Sequence, residues 1–336
     1  MNLAQSILEG SRLALARTLT LVENGDPEGQ AVLSALFAHT GRAHLVGVTG
    51  APGTGKSSLV NQLARHFRLP PDGVEPRRVA IVAVDPSSPF TGGAILGDRI
   101  RMRDLSGDPG VFIRSMATRG SLGGLAAATA SVVQVFDAAG YELVLIETVG
   151  AGQAEIEIAR LAHTTLVVEA PGMGDDIQAI KAGILEIADV LVVNKADYPG
   201  VENTERALRS MLELAHPVLR PSLPGAPPAS ESASPIWIPP ILRTIATETT
   251  GITELVAAIQ RHRQHLESTG EWQQREQERL AVELHLLLRE SLLHRWLAEV
   301  GSAAYQHVLA DLLSRQISPH QAVQQLLSPG SGGSSR

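Results

Sequence analysis

The chain has 336 residues, a net charge of −7 and no cysteine. The acidic balance, without a basic tail, argues against a nucleic-acid or anionic-membrane binder, and the lack of cysteine excludes disulfides, thiolate metal sites and a cysteine nucleophile. The length accommodates one large α/β domain with appendages or two modest domains. No apolar run approaches a membrane span, and the N-terminal stretch lacks a signal-peptide core, so a cytoplasmic protein is expected.

Residues 1–40 read as an N-terminal helical extension, two helices broken at Asn24-Gly25-Asp26-Pro27. From 41 to 268, short β-branched runs alternate with helical segments: HLVGVTG, RRVAIVAVD, VFIRSMA, YELVLIET, TTLVVEA, DVLVVNK and PPILRTIA. Most lack apolar/polar alternation, as strands buried on both faces do. The expected fold is therefore α/β with a doubly wound, mostly parallel sheet, and the G-x-x-x-x-G-K-[ST] pattern after its first strand makes it that of a P-loop NTPase. Residues 220–235, rich in Pro, Ser and Ala, read as a flexible insertion. Residues 269–327 form a C-terminal helical arm whose leucines occupy more than one face, which points to dimerisation or to packing on its own α/β core. Residues 328–336 read as a disordered tail.

The first strand runs into Gly50, Ala51, Pro52, Gly53, Thr54, Gly55, Lys56, Ser57 and Ser58, which fit G-x-x-x-x-G-K-[ST]. Small residues let successive backbone N–H groups converge on phosphate oxygens, and the following helix aims the positive end of its dipole at them. Lys56 adds a mobile charge, and Ser57 is placed to offer its hydroxyl to Mg2+. A glycine-rich connection that binds nothing is the bland alternative, and the strand, loop and helix order argues against it.

Asp85 ends the second strand and Asp98 follows in VDPSSPFTGGAILGDRIRM, either as a metal-sensing switch or as turn formers. Glu147, expected to end the strand in LVLIET, stands where a Walker B carboxylate would reach Mg2+, or else caps a helix. Gly150 closes the turn, and Gln153 beyond it could orient water. Asn194, Lys195 and Asp197 form N-K-x-D, in which a carboxylate accepts from guanine N1–H and the 2-amino group. Adenine cannot present that pair, so GTP and GDP are favoured over ATP. Ala246, in TIATE, stands where a last base-contacting backbone group would lie. Arg99, Arg101 and Arg119 are candidate transition-state arginines or simply surface charges.

In this order the P-loop, DPSSPFTGGAILGDRIRM, ETVGAGQAE, EAPGMGDDIQAIKAG and NKAD resemble the MeaB/ArgK family of P-loop GTPases, over about residues 40–267. The resemblance implies a homodimeric Mg2+-dependent GTPase, slow alone, that acts as a chaperone of an adenosylcobalamin-dependent acyl-CoA mutase of the methylmalonyl-CoA mutase type. It would gate cofactor loading and protect the mutase. By matching position, Ser57, Asp85, Asp98 and Glu147 make the metal neighbourhood, and Lys56, Glu147 and Gln153 carry catalysis. Residues 171–183, with Asp175, Asp176 and Lys181, would be the switch that senses the mutase. Two other readings stand beside it. One is a nickel or cobalt metallochaperone GTPase, for which His262 and His265 lie i, i+3 on a helix but lack a third ligand. The other is a nucleotide-gated scaffold with negligible turnover. A protein kinase would need an acceptor-positioning base, and no such signature is present.

Overall fold

The computed structural model describes residues 2–70, 73–85, 103–105, 107–117, 122–148, 160–172, 187–215, 236–300 and 302–327. Seven strands, β1 (His44–Thr49), β2 (Val79–Asp85), β3 (Val111–Ala117), β4 (Leu143–Thr148), β5 (Thr164–Glu169), β6 (Val190–Val193) and β7 (Ile241–Arg243), form one sheet in the order β3-β2-β4-β1-β5-β6-β7. Every pairing is parallel. Every residue of β1, β4, β5 and β6 is buried, which is why these segments read as unbroken apolar runs: a parallel sheet has helices on both faces.

One face is covered by α4 (Lys56–Arg68) and α7 (Ile252–Thr269). The other face carries the N-terminal helices and α5 (Leu122–Ala138), with α6 (Val201–Ala215) over β5 and β6. The N-terminal segment contains three helices, α1 (Leu3–Leu8), α2 (Arg12–Asn24) and α3 (Pro27–Leu36), where the sequence suggested two. The extra break has a local cause. Gly10 takes a φ of 88°, and the Ser11 hydroxyl accepts from the Ala14 N–H to start α2.

The chain between α3 and β1 is fixed by one carboxylate. Asp137, on α5, accepts from the backbone N–H groups of Gly41 at 2.6 Å, Arg42 at 3.2 Å and Ala43 at 3.0 Å. The guanidinium of Arg12 donates to the carbonyls of Pro109 and Val111, closing down the start of edge strand β3.

The chain divides into two compact units, Met1–Leu280 and Ala281–Arg336, and the division falls inside α8 (Glu271–Val300). The second unit holds the rest of α8 with α9 (Ser302–Leu313) and α10 (Pro319–Leu327). Val308 and Ala322 are buried within it, while Leu284, Leu288, Leu292 and Leu293 are half or more exposed. No helix among the described residues is long and apolar enough to cross a membrane.

Replacing Asp137 with Ala should cost ~3 kcal/mol of stability, because three backbone donors lose their acceptor. Urea unfolding of the two proteins measures the difference, and Asp137→Asn should recover part of it.

Candidate functional site

β1 lies between β4 and β5, so the chain leaves the carboxyl end of β1 where the crossovers part to either side. This switch point is where open α/β sheets place ligands. The loop from Gly50 to Gly55 fills it and delivers α4 with Lys56 as its first residue. The positive end of a 13-residue helix therefore faces the loop. Glycine is required at two loop positions. Gly50 has a φ of 136°, and a Cβ there would stand 2.0 Å from the Val168 carbonyl oxygen. Gly55 has a φ of 93°, and a Cβ would stand 2.4 Å from the Asn194 amide nitrogen. The loop is thus pressed against both β5 and the N-K-x-D segment.

Lys56 is buried, and its Nζ donates to the carbonyls of Gly50 at 2.8 Å and Ala51 at 2.9 Å. The ammonium thus sits under the loop that would hold phosphates. Thr54 is fully buried, and its hydroxyl donates to the Ala51 carbonyl, bracing the turn from inside, while Pro52, Gly53 and Ser58 face outward. Ser57 donates its hydroxyl to Glu147 Oε1 at 2.5 Å. Glu147 is the penultimate residue of β4, whose last residue, Thr148, donates its hydroxyl to that of Thr49 at the end of β1 at 3.1 Å, tying the two strand ends together. A hydroxyl and a carboxylate side by side make an all-oxygen donor pair of the kind a hard divalent cation takes.

Asn194 is 2% exposed and holds two loops together. Its amide donates to the Thr54 carbonyl at 2.8 Å, and its Oδ1 accepts from the Thr244 hydroxyl at 3.0 Å and the Ala246 N–H at 3.2 Å. Lys195 follows with a left-handed φ of 57°, its ammonium over the Tyr198 ring, and Asp197 is exposed on the same turn. The Ala196 N–H donates to the Thr244 carbonyl at 3.0 Å, which pins that turn to the loop after β7. Phosphate loop, N-K-x-D turn and TIATE loop therefore share one network at one edge of the sheet.

Asp85 ends β2 two strands away, in register with Ala117. Asp98, Arg99, Arg101, Arg119, Gly150, Gln153, Asp175, Asp176 and Lys181 lie outside the described residues, as do the 220–235 and 328–336 segments. Two contributors were missed in the sequence. Glu169 is a buried carboxylate at the end of β5, and its carbonyl accepts from the Asn194 N–H at 2.8 Å. Thr244 places its hydroxyl on Asn194. The signal for Glu169 was a carboxylate ending an otherwise apolar run, the same signal that singled out Glu147. The histidines considered for a metal turn to carboxylates instead: His262 lies at Asp189, and His265 Nε2 lies 3.5 Å from Glu271.

Residues 15–300 match the family model described as methylmalonyl Co-A mutase-associated GTPase MeaB. A putative GTPase of Pyrococcus abyssi is 40% identical over 99% of this chain and 97% of its own length. The GTPase ArgK of Escherichia coli is 36% identical over 97% of this chain and 96% of its own. Among solved structures, a LAO/AO transport system kinase is similar with a TM-score of 0.66 and 29% identity, covering 96% of this chain and 95% of that one.

Asn194→Ala should raise the Kd for guanine nucleotides about thirty-fold, since about 2 kcal/mol of loop bracing disappears. Calorimetry with GDP measures it. The loss should fall equally on GDP and GTP, because the bracing does not involve the third phosphate.

Proposed function

The chain belongs to the MeaB family of P-loop GTPases, and from that footing we propose that it is a Mg2+-dependent, partner-stimulated chaperone of an adenosylcobalamin-dependent acyl-CoA mutase. The observation that carries the reading is the Asn194 network. It sets the phosphate loop and the guanine-reading turn at one fixed spacing, while the Ser57 and Glu147 pair stands at the phosphate end. The client is inferred from the family's description, which names the mutase.

In this reading the backbone N–H groups of Gly53, Gly55, Lys56, Ser57 and Ser58 hold the phosphates, and Lys56 exchanges its loop carbonyls for phosphate oxygens. Asp197 accepts from the guanine edge, and the stem of Lys195 lies along the base. Ser57, Glu147, Asp85 and Asp98 would hold Mg2+, and the donor type fits: a hydroxyl and carboxylates suit a hard ion. When bound, that ion neutralises charge gathering on the transferred phosphoryl oxygens. Glu147 keeps the Ser57 hydroxyl aimed at that point. Gln153 orients the attacking water, and the mutase orders residues 171–183 to complete the site. Catalysis of this type is positioning and charge stabilisation, so ordering a switch can contribute orders of magnitude in rate.

The arm supports a homodimer. Leu284, Leu288, Leu292 and Leu293 on α8 leave an apolar surface of the kind a second copy covers. A cytoplasmic location accords with the absence of cysteine.

Asp197→Asn should lower GTP affinity roughly a hundredfold and shift preference toward xanthine nucleotides, whose second carbonyl accepts from the new amide. Glu147→Gln should slow hydrolysis more than it weakens GDP binding. Titrating a cobalamin-dependent acyl-CoA mutase should raise the GTPase rate and, by reciprocity, tighten GTP binding if the mutase prefers the GTP form. No change in either quantity would remove the mutase as client. A single-turnover rate indistinguishable from buffer, with and without mutase, would favour a nucleotide-gated scaffold.

A further inference from the structure

The sheet edge opposite the nucleotide loops carries a buried ionic network that the GTPase reading leaves unused. His44 opens β1, Thr164 opens β5 just after His163, and Asp189 precedes β6, so three strand starts bring polar side chains to one place. His44 Nε2 lies 2.7 Å from Thr164 Oγ1, which in turn lies 2.9 Å from His262 Nδ1 on α7. His262 Nε2 stands 3.2 Å from Asp189 Oδ1, within ion-pair reach but off the line of a hydrogen bond.

The first turns of α8 are fastened onto this platform. Arg275 grips both oxygens of Asp189, at 2.8 and 2.9 Å, and donates to the His163 carbonyl at 2.7 Å. Glu276 meets His163 Nε2 at 2.5 Å and also bonds Arg279. The Trp272 ring lies 4.0 Å from the His163 ring, centroid to centroid. All of these residues belong to the first compact unit, and the helix they fasten continues without a break into the second.

The tautomer of His163 follows from its partners. The Leu45 N–H donates to Nδ1 at 3.1 Å, so Nδ1 carries the lone pair and the proton sits on Nε2, facing Glu276. A second proton, on Nδ1, would meet the Leu45 donor head-on and break that bond. We propose that His163 and Glu276 form a proton-sensitive latch that fastens the start of α8 to the starts of β1 and β5, closed with His163 neutral and open once it is doubly protonated.

The surrounding groups set the direction. Burial, Arg279 and Arg275 disfavour a charged His163 and outweigh Glu276, which favours it, so its pKa lies below the ordinary value of 6.5. His44, 6.2 Å from His163 between ring centroids, is held well below 6.5 by burial and by His163, Arg263, His262 and Arg77. A histidine kept neutral by the fold binds protons more readily once released. The closed latch is therefore fully favoured above about pH 6.5 and weakens as the pH falls below it.

The carboxylates act in a separate window. Against burial, which raises it, His262 and Arg275 hold Asp189 at about 2; likewise His163 and Arg279 hold Glu276 at about 2 against burial. Their stabilisation is present above their ordinary pKa near 4 and disappears only as the pH falls toward 2. A cleft of about 490 Å3 lined by His44 opens on the same edge. Its Arg77 and Arg263 are offset by Glu142 and Glu267, so it presents no net charge of its own.

Hydrogen exchange of the full chain at pH 7.5 and 5.5, corrected for intrinsic rates, tests the latch. In the parent protein, amides of residues 274–280 should lose about three- to tenfold in protection at pH 5.5, tenfold being the limit for one proton taken up by a released histidine, while those of α4 keep theirs. In His163→Gln, a neutral amide can donate to Glu276 and accept from Leu45, and the acid loss should fall below threefold. Glu276→Gln removes the one group that favours the charged imidazole in the closed latch, so over a series of pH values its acid-induced loss should continue below the pH at which the parent's levels off. The proposal is overturned if parent protection is unchanged between the two pH values, or if His163→Gln, where it folds, loses as much as the parent. Should that variant not fold, a loss in Glu276→Gln that levels off at the same pH as in the parent overturns it.

Discussion

The nucleotide edge of this protein depends on one buried amide. A backbone cradle for phosphate works only if its N–H groups are free of internal partners, which leaves the loop with little to hold its own shape. Asn194 supplies the missing rigidity from outside: its amide takes a carbonyl of the phosphate loop, and its oxygen takes donors from the loop after β7. The glycine at position 55 follows from that choice, since the amide occupies the space where a Cβ would be. A residue usually read as a base-recognition letter is here first a spacer. In the reading proposed above, specificity and affinity are coupled through its position, because the base and the phosphates of one ligand are a fixed distance apart.

Much of this was legible in the sequence, and the reason is physical. A parallel sheet buries its strands on both faces, so runs such as LVLIE and LVVE leave a strong signal. The carboxylate ending LVLIE stood out because a charge so placed needs a partner, and Glu169, which ends LVVE in the same way, was passed over. The loop glycines were legible for the same kind of reason, a backbone that only glycine adopts without strain. What was not legible was pairing at a distance. Nothing local ties His163 to Glu276, 113 positions away, or Asp189 to Arg275. In the sequence these are isolated polar residues at strand starts and on a helix. His262 and His265 suggested a metal by spacing alone, whereas the fold gives each a carboxylate. The break at Gly10 was overlooked because the apolar period continues across it and only the backbone reverses.

The two edges of the sheet divide the work. At the carboxyl edge the phosphate loop presents mostly backbone, with a helix end and a lysine beneath it. At the amino edge, side chains dominate, and histidine, aspartate, arginine and glutamate lie close together in a dry setting where each depends on the others for solvation. The strands joining the edges are rigid and fully paired. β1 begins at His44 and ends at the phosphate loop, and β6 begins after Asp189 and ends at Asn194, so both edges are built on the same few segments of chain.

The N-terminal helices look like an appendage in composition, yet their apolar residues do not form a core of their own. Ile7, Leu15, Leu19, Val32 and Leu36 pack in one continuous cluster with Val132 and Phe136 of α5 and with Ala80 and Val82 of the sheet, and Arg12 closes the start of β3. Trimming the chain to the segment that carries the nucleotide motifs would therefore not yield a smaller GTPase. It would uncover an oily face beside an open strand edge, the combination that drives chains to stick to one another. In folding terms the first forty residues are as much the GTPase domain as the phosphate loop is, and a nascent chain gains its sheet's second layer from a segment made before any strand.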